Sequence, residues 1–83
     1  MKSFWEFDKS AFTEGALTAA QTQIVAVAFA LTTPCPYRTE IHTKAARDAG
    51  ATDAQLTRAA VVAAAMRAGA AVTHASHLFG ADT

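Results

Sequence analysis

The chain has one cysteine, one tryptophan, one tyrosine, two prolines and four glycines among its 83 residues. A single cysteine rules out an internal disulfide. No cluster of cysteine and histidine has the spacing of a structural zinc site, so neither a metal nor a cofactor is expected. Chains this short commonly rely on disulfides, metals or self-association. Only self-association is left. An excess of charge is missing too: seven Lys and Arg balance seven Asp and Glu. That balance gives no basic footprint for nucleic acid. No apolar core follows Met1-Lys2-Ser3-Phe4, as a secretory signal would require. The longest apolar run, Ile24 to Leu31, is too short to span a bilayer. The alanine-rich run from Ala59 to Val72 is interrupted by Arg67. The expectation is a cytoplasmic protein with neither a membrane nor a nucleic acid as partner. No stretch alternates polar and apolar at period two, so no sheet is expected.

What is present is apolar and helical. Hydrophobic residues make up 52% of the chain, far from the composition of a disordered segment. One domain over residues 1–83 is expected, with no linker or repeat. Ser3-Phe4-Trp5-Glu6 has the capping-box pattern and starts a first helix running to about Glu14, with Gly15 as its stop. Its aromatics Phe4, Trp5, Phe7 and Phe12 suit packing against the domain or a second copy. Thr18-Ala19-Ala20-Gln21 repeats the cap pattern and opens a second helix to about Thr32. Ile24, Val25, Ala28 and Leu31 form its inward stripe, and Val27 and Phe29 make it apolar nearly all round. A third helix runs from Pro36 to about Ala49, with Gly50 behind it. Thr52-Asp53-Ala54-Gln55 caps a fourth that extends to about Phe79 and stops at Gly80. Small residues along it, among them Ala63, Ala64, Ala68 and Gly69, allow close helix–helix approach. The expected architecture is an all-α bundle of about four helices, the third and fourth forming an αα-hairpin.

The chemistry concentrates in Thr33-Pro34-Cys35-Pro36-Tyr37-Arg38-Thr39-Glu40-Ile41-His42. Pro36 has no N–H and a fixed φ, which suits the first position of a helix and makes Cys35 the N-cap. A thiol there would face unpaired backbone N–H groups and the positive end of the helix dipole, which favours thiolate. His42 follows two turns later on roughly the same face, and Arg38 is its neighbour one turn back. A lone cysteine is also an ordinary small hydrophobe, and a lone histidine an ordinary core residue.

Cys-Pro-Tyr-x-x-x-x-His, then Thr-Lys-Ala-Ala, Ala-Gly-Ala-Thr and Ala-Ala-Ala-Met-Arg-Ala-Gly-Ala-Ala-Val-Thr-His-Ala, resembles the AhpD-like alkylhydroperoxidase branch of the carboxymuconolactone decarboxylase family. The similarity runs from about Leu17 to His77. It implies a helical protomer that assembles into trimers or hexamers. It also implies a redox site: a Cys-x-x-Cys at a helix start, a histidine four residues after the second cysteine, and a glutamate on the preceding helix. Cys35 matches the first cysteine and His42 the histidine. Arg38 stands where the second, attacking cysteine would be, and Gln23 where the glutamate would be.

Three functions stay open. In the first, the chain is a thiol-dependent hydroperoxide reductase. Cys35 attacks, Arg38 holds an oxygen of a small hydroperoxide, His42 moves a proton, and an external thiol or dithiol resolves the sulfenic acid. In the second, it is a lactone-decarboxylase-like acid/base enzyme. Arg38 binds the carboxylate of a small acid, and His42 handles the proton. In the third, it is a non-catalytic helical oligomer. Gln23 joins the candidate catalytic residues Cys35 and His42; Tyr37 and His74 join Arg38 as candidate binding residues. His74 and His77, three apart, fit an exposed or interface stripe better than a metal pair.

Overall fold

The structure, a computed structural model, describes residues 1–80. Four α-helices and a closing 3-10 turn follow one another: α1 (Lys2–Ala11), α2 (Ala19–Thr32), α3 (Pro36–Asp48), α4 (Asp53–Ala75) and the turn Ser76–Phe79. The described residues contain no strand. The all-α expectation holds, and the element boundaries show which local signals were strong.

Two of the three capping boxes form. Thr18 accepts from the Gln21 backbone N–H at 3.1 Å while the Gln21 side chain accepts from the Thr18 N–H at 2.9 Å. Thr52 and Gln55 make the same reciprocal pair at 3.1 and 2.9 Å. The third box does not form: α1 starts at Lys2 behind Met1, without a side-chain cap. It also ends early, at Ala11 rather than Glu14, and the Thr13 hydroxyl donates back to the Lys9 carbonyl at 2.9 Å. The backbone is already helical at Lys2, so Ser3 lies inside α1 and not at its cap. Gly50 (φ +105°) and Gly80 (φ +72°) hold left-handed positions after α3 and after the closing turn. Side chains rarely adopt that region, which explains glycine at both.

The packing differs from the expected hairpin of α3 and α4. Both helices pack on α2 instead. The reason lies in α2 itself, which is apolar around its circumference and offers two faces rather than one. Val27, Ala46 and Ala51 form the buried cluster, flanked by half-buried Ile24 and Leu56. Ala30, Ala59 and Ala63 complete the core. Five of these six buried side chains are alanines, so helices approach closely but bury little area each. The 3-10 turn packs on the end of α4, and α1 buries none of its residues.

Helical backbone runs through Arg67 to Ala75 and the 3-10 turn carries it to Phe79, the expected end of the fourth helix. By length and composition the Asp53–Phe79 segment is long and apolar enough to cross a membrane, and only 11% of its 18-residue apolar window is buried. Val61, Val62, Met66, Val72, Leu78 and Phe79 are each at least half exposed along it.

Candidate functional site

The three-residue connection after α2 sends α3 back along it, so that residues far apart in sequence meet. Gln23, in the second turn of α2, and His42, in the second turn of α3, bond side chain to side chain, Oε1 to Nδ1, at 2.8 Å. Both are half-buried. An amide oxygen only accepts, so Nδ1 carries the hydrogen and Nε2 of the neutral ring keeps its lone pair. Phe12, just past α1, lies nearly parallel to the imidazole, with centroids 5.4 Å apart and planes 10° apart. The ring is therefore held from one edge by Gln23 and covered on one face by Phe12, which leaves Nε2 as its chemically free atom.

This imidazole lines a groove of about 800 Å³ between α1, α2 and α3. The groove is walled by Trp5, Phe12, Phe29 and Ile41, with Tyr37 and Arg38 on the α3 side. Arg38 and Tyr37 are exposed side chains. Among the described residues, Arg38 makes no ion pair: the two ion pairs present are Lys44–Asp48 and Arg47–Asp53. Asp8 is the acidic residue facing the same space.

Cys35 is elsewhere. It is the N-cap of α3, as its neighbour Pro36 requires, but it makes no side-chain cap hydrogen bond. The expected contact of its sulfur with the helix-start N–H groups is therefore missing. The thiol is free and half-buried. It lines a second groove, of about 640 Å³, with Leu31, Thr39, Thr43, Lys44 and Arg47. Cys35 and His42 thus do not share a cavity, although seven residues separate them. Counting turns assumes helical dihedrals throughout. Cys35 has φ −148° and ψ 103°, an extended conformation that rotates its side chain off the line.

His74 is the other site residue that falls outside. It is exposed in the last turn of α4 and meets the His77 ring edge to face, centroids 5.5 Å apart. It lines neither groove. The buried residues of α4, Ala59 and Ala63, lie in its first half, so its end projects away from α2. No group of three or more His, Cys, Asp or Glu among the described residues could hold a metal ion. Phe12 is the site residue that sequence reasoning underrated, since it read only as one of several packing aromatics. No spacing rule relates the end of α1 to the middle of α3.

With the geometry in view, three comparisons fit it. Residues 1–81 match the carboxymuconolactone decarboxylase family. "Uncharacterized protein 4 in cox locus" of Paracoccus denitrificans is 47% identical over 74 residues, covering 89% of this chain and 67% of that protein. A crystal structure of a protein from Methanobacterium thermoautotrophicum superposes with a TM-score of 0.87 at 37% identity, over 94% of this chain and 90% of that one. The helices that bring Gln23 to His42 are thus shared with a solved relative, and the chain belongs to the carboxymuconolactone decarboxylase family.

Proposed function

We propose that the His42 groove is an acid/base site for a small carboxylate, and that the chain acts as a lactone-decarboxylase-like enzyme without using its thiol. The observation that supports this most is the Gln23–His42 hydrogen bond, which presents Nε2 to an apolar cavity that also holds Arg38. In that role Arg38 grips a carboxylate through its planar fork of donors. Loss of carbon dioxide from an acid activated by a neighbouring lactone or ketone leaves the bonding pair on an enolate. His42, in its protonated form, then delivers a proton to carbon. The groove's apolar walls weaken solvation of the departing carboxylate, which favours its loss as neutral carbon dioxide, and donors near the carbonyl oxygen stabilise the enolate that forms. Gln23 holds the ring in one tautomer but cannot take a proton itself.

The test is carbon dioxide release from a panel of small lactone and β-keto acids. His42→Ala should reduce turnover by roughly 10²–10⁴-fold, the usual worth of a positioned acid or base. Arg38→Ala should act mainly on KM, and Cys35→Ser should leave turnover within twofold of the parent. Turnover that survives His42→Ala would remove the proposal.

A thiol-dependent function has one supporting observation of its own: the free Cys35 heads α3 in a groove lined by Glu40 and Asp48 as well as Lys44 and Arg47. Its thiolate would take the terminal oxygen of a hydroperoxide, releasing an alcohol and leaving a sulfenic acid. Two equivalents of an external thiol would then reduce that acid with loss of water. Hydroperoxide consumption with a dithiol reductant separates the two functions. Activity lost in Cys35→Ser would favour the thiol. Activity gained only in Arg38→Cys would show a peroxidase scaffold whose attacking sulfur is absent here.

A further inference from the structure

The shape and lining of the His42 groove carry information about what it accepts. Phe4, Trp5, Phe29 and Tyr37 all line it, and each is more than half exposed, from 51% for Phe4 to 70% for Tyr37. Phe4 and Trp5 form an edge-to-face pair, with centroids 5.3 Å apart and planes at 69°. Four exposed aromatic side chains converging on one cavity are not the surface of an ordinary helix. Clustered exposed apolar area of this kind marks a binding face. A volume of about 800 Å³ is within the range of small-molecule sites, roughly 300–1,000 Å³, and far exceeds what a compact lactone acid fills.

The charge pattern selects among ligands. Arg38 is the cation of the groove and Asp8 its acid. They belong to different elements, α3 and α1, and they form no ion pair with each other among the described residues. Arg38 and His42 are one turn apart on α3, so an anionic group held by Arg38 lies beside the imidazole. The aromatic walls of α1 and α2 would then receive the rest of the molecule.

We propose that the ligand class of this groove is a monocarboxylate with a ring-sized apolar body, its carboxylate on Arg38 and its body among Trp5, Phe12 and Phe29. This rests on the assignment of the groove as a small-acid site and narrows it. Aromatic walls gain from both area burial and ring–ring geometry. A short acid such as acetate fills only the Arg38 end. A neutral molecule of the same shape fills the walls but leaves the guanidinium without an anion.

Trp5 is the chain's one tryptophan and stands in the groove, so binding has a built-in optical readout. Phenylacetate, phenylacetamide and acetate are titrated into the full chain, with tryptophan emission and calorimetry read together. Phenylacetate should give saturable changes in both. The neutral amide and acetate should each bind at least tenfold more weakly. Arg38→Ala should lose most of the preference for phenylacetate over the amide, and Phe29→Ala the preference for phenylacetate over acetate. Equal affinity for acid and amide would overturn the proposal, as would tighter binding of acetate. So would a groove that stays silent because a second copy covers it, seen as an emission change with protein concentration but not with ligand. The same titration on His42→Ala keeps the two claims separate. Binding retained in that variant while the parent shows no decarboxylation supports the ligand class and removes the acid/base chemistry. The converse result removes the ligand class alone.

Discussion

At the scale of single residues, one hydrogen bond decides how the site behaves. Gln23 ties α2 to α3 and fixes which imidazole nitrogen is basic. Gln23→Leu should cost about 0.5–1.5 kcal/mol, the net worth of one neutral hydrogen bond. It should also shift the nitrogen NMR signature of His42 toward a mixture of tautomers. An unchanged tautomer would show that something else orients the ring. Gln23 and His42 were legible as members of one site through their matches to a family motif, and the hydrogen bond between them is what the structure adds. The Cys35–His42 relation was misread, because seven-residue spacing transmits direction only through helical backbone, and Cys35 is extended. Phe12 could not be found at all, since a stacking contact between a chain segment outside any helix and a distant helix leaves no periodic trace.

At the scale of elements, the caps and stops were readable and the packing was not. The Thr-x-x-Gln boxes at Thr18 and Thr52 use atoms within four residues, so local sequence determines them. Thr52→Ala should destabilise the protein by about 1 kcal/mol, within the usual 0.5–2 kcal/mol for losing an N-cap. Ser3→Ala should change stability by less than ~0.5 kcal/mol, as for a surface site without such a feature, because that cap is not made. Chemical denaturation of the two variants side by side checks both. Which helices pair depends instead on how wide the apolar surface of α2 is. Ala46, with no exposed surface, sits where α3 meets α2. Ala46→Leu should therefore cost about 1–3 kcal/mol through overpacking, and a smaller cost would mean that the two helices can separate without loss.

At the scale of the whole molecule, the protomer is open. Its radius of gyration is 15.8 Å, against roughly 12 Å for a compact chain of this length. It exposes 6421 Å², about 1,700 Å² more than the ~4,700 Å² of a folded monomer of its mass. On a single chain, that excess is about twice the ~800 Å² that each partner buries in a standard-sized interface. We propose that copies of the chain cover it with the outer face of α4 and the closing turn, around Val62, Met66, Val72 and Phe79. Sedimentation without detergent should show an oligomer at micromolar concentration, and Met66→Glu should shift it toward monomer. A parent that sediments as a stable monomer would remove this proposal. A parent found only in the membrane fraction would assign the same face to lipid. Composition leaves self-association as the expected stabiliser, and the exposed face of α4 is the surface this proposal assigns to it.

The thinness of the core has a consequence in time as well as in energy. Connections of three and four residues join α2 to α3 and α3 to α4, and helical chains with such local topology collapse in microseconds to milliseconds. With five alanines and one valine buried, the collapsed single chain has little core to hold it, and under the proposed self-association a second copy completes it. The step that commits the chain would then be collision between copies, a second-order event. Refolding traces should therefore separate into a fast phase indifferent to protein concentration and a slow phase whose rate rises with it.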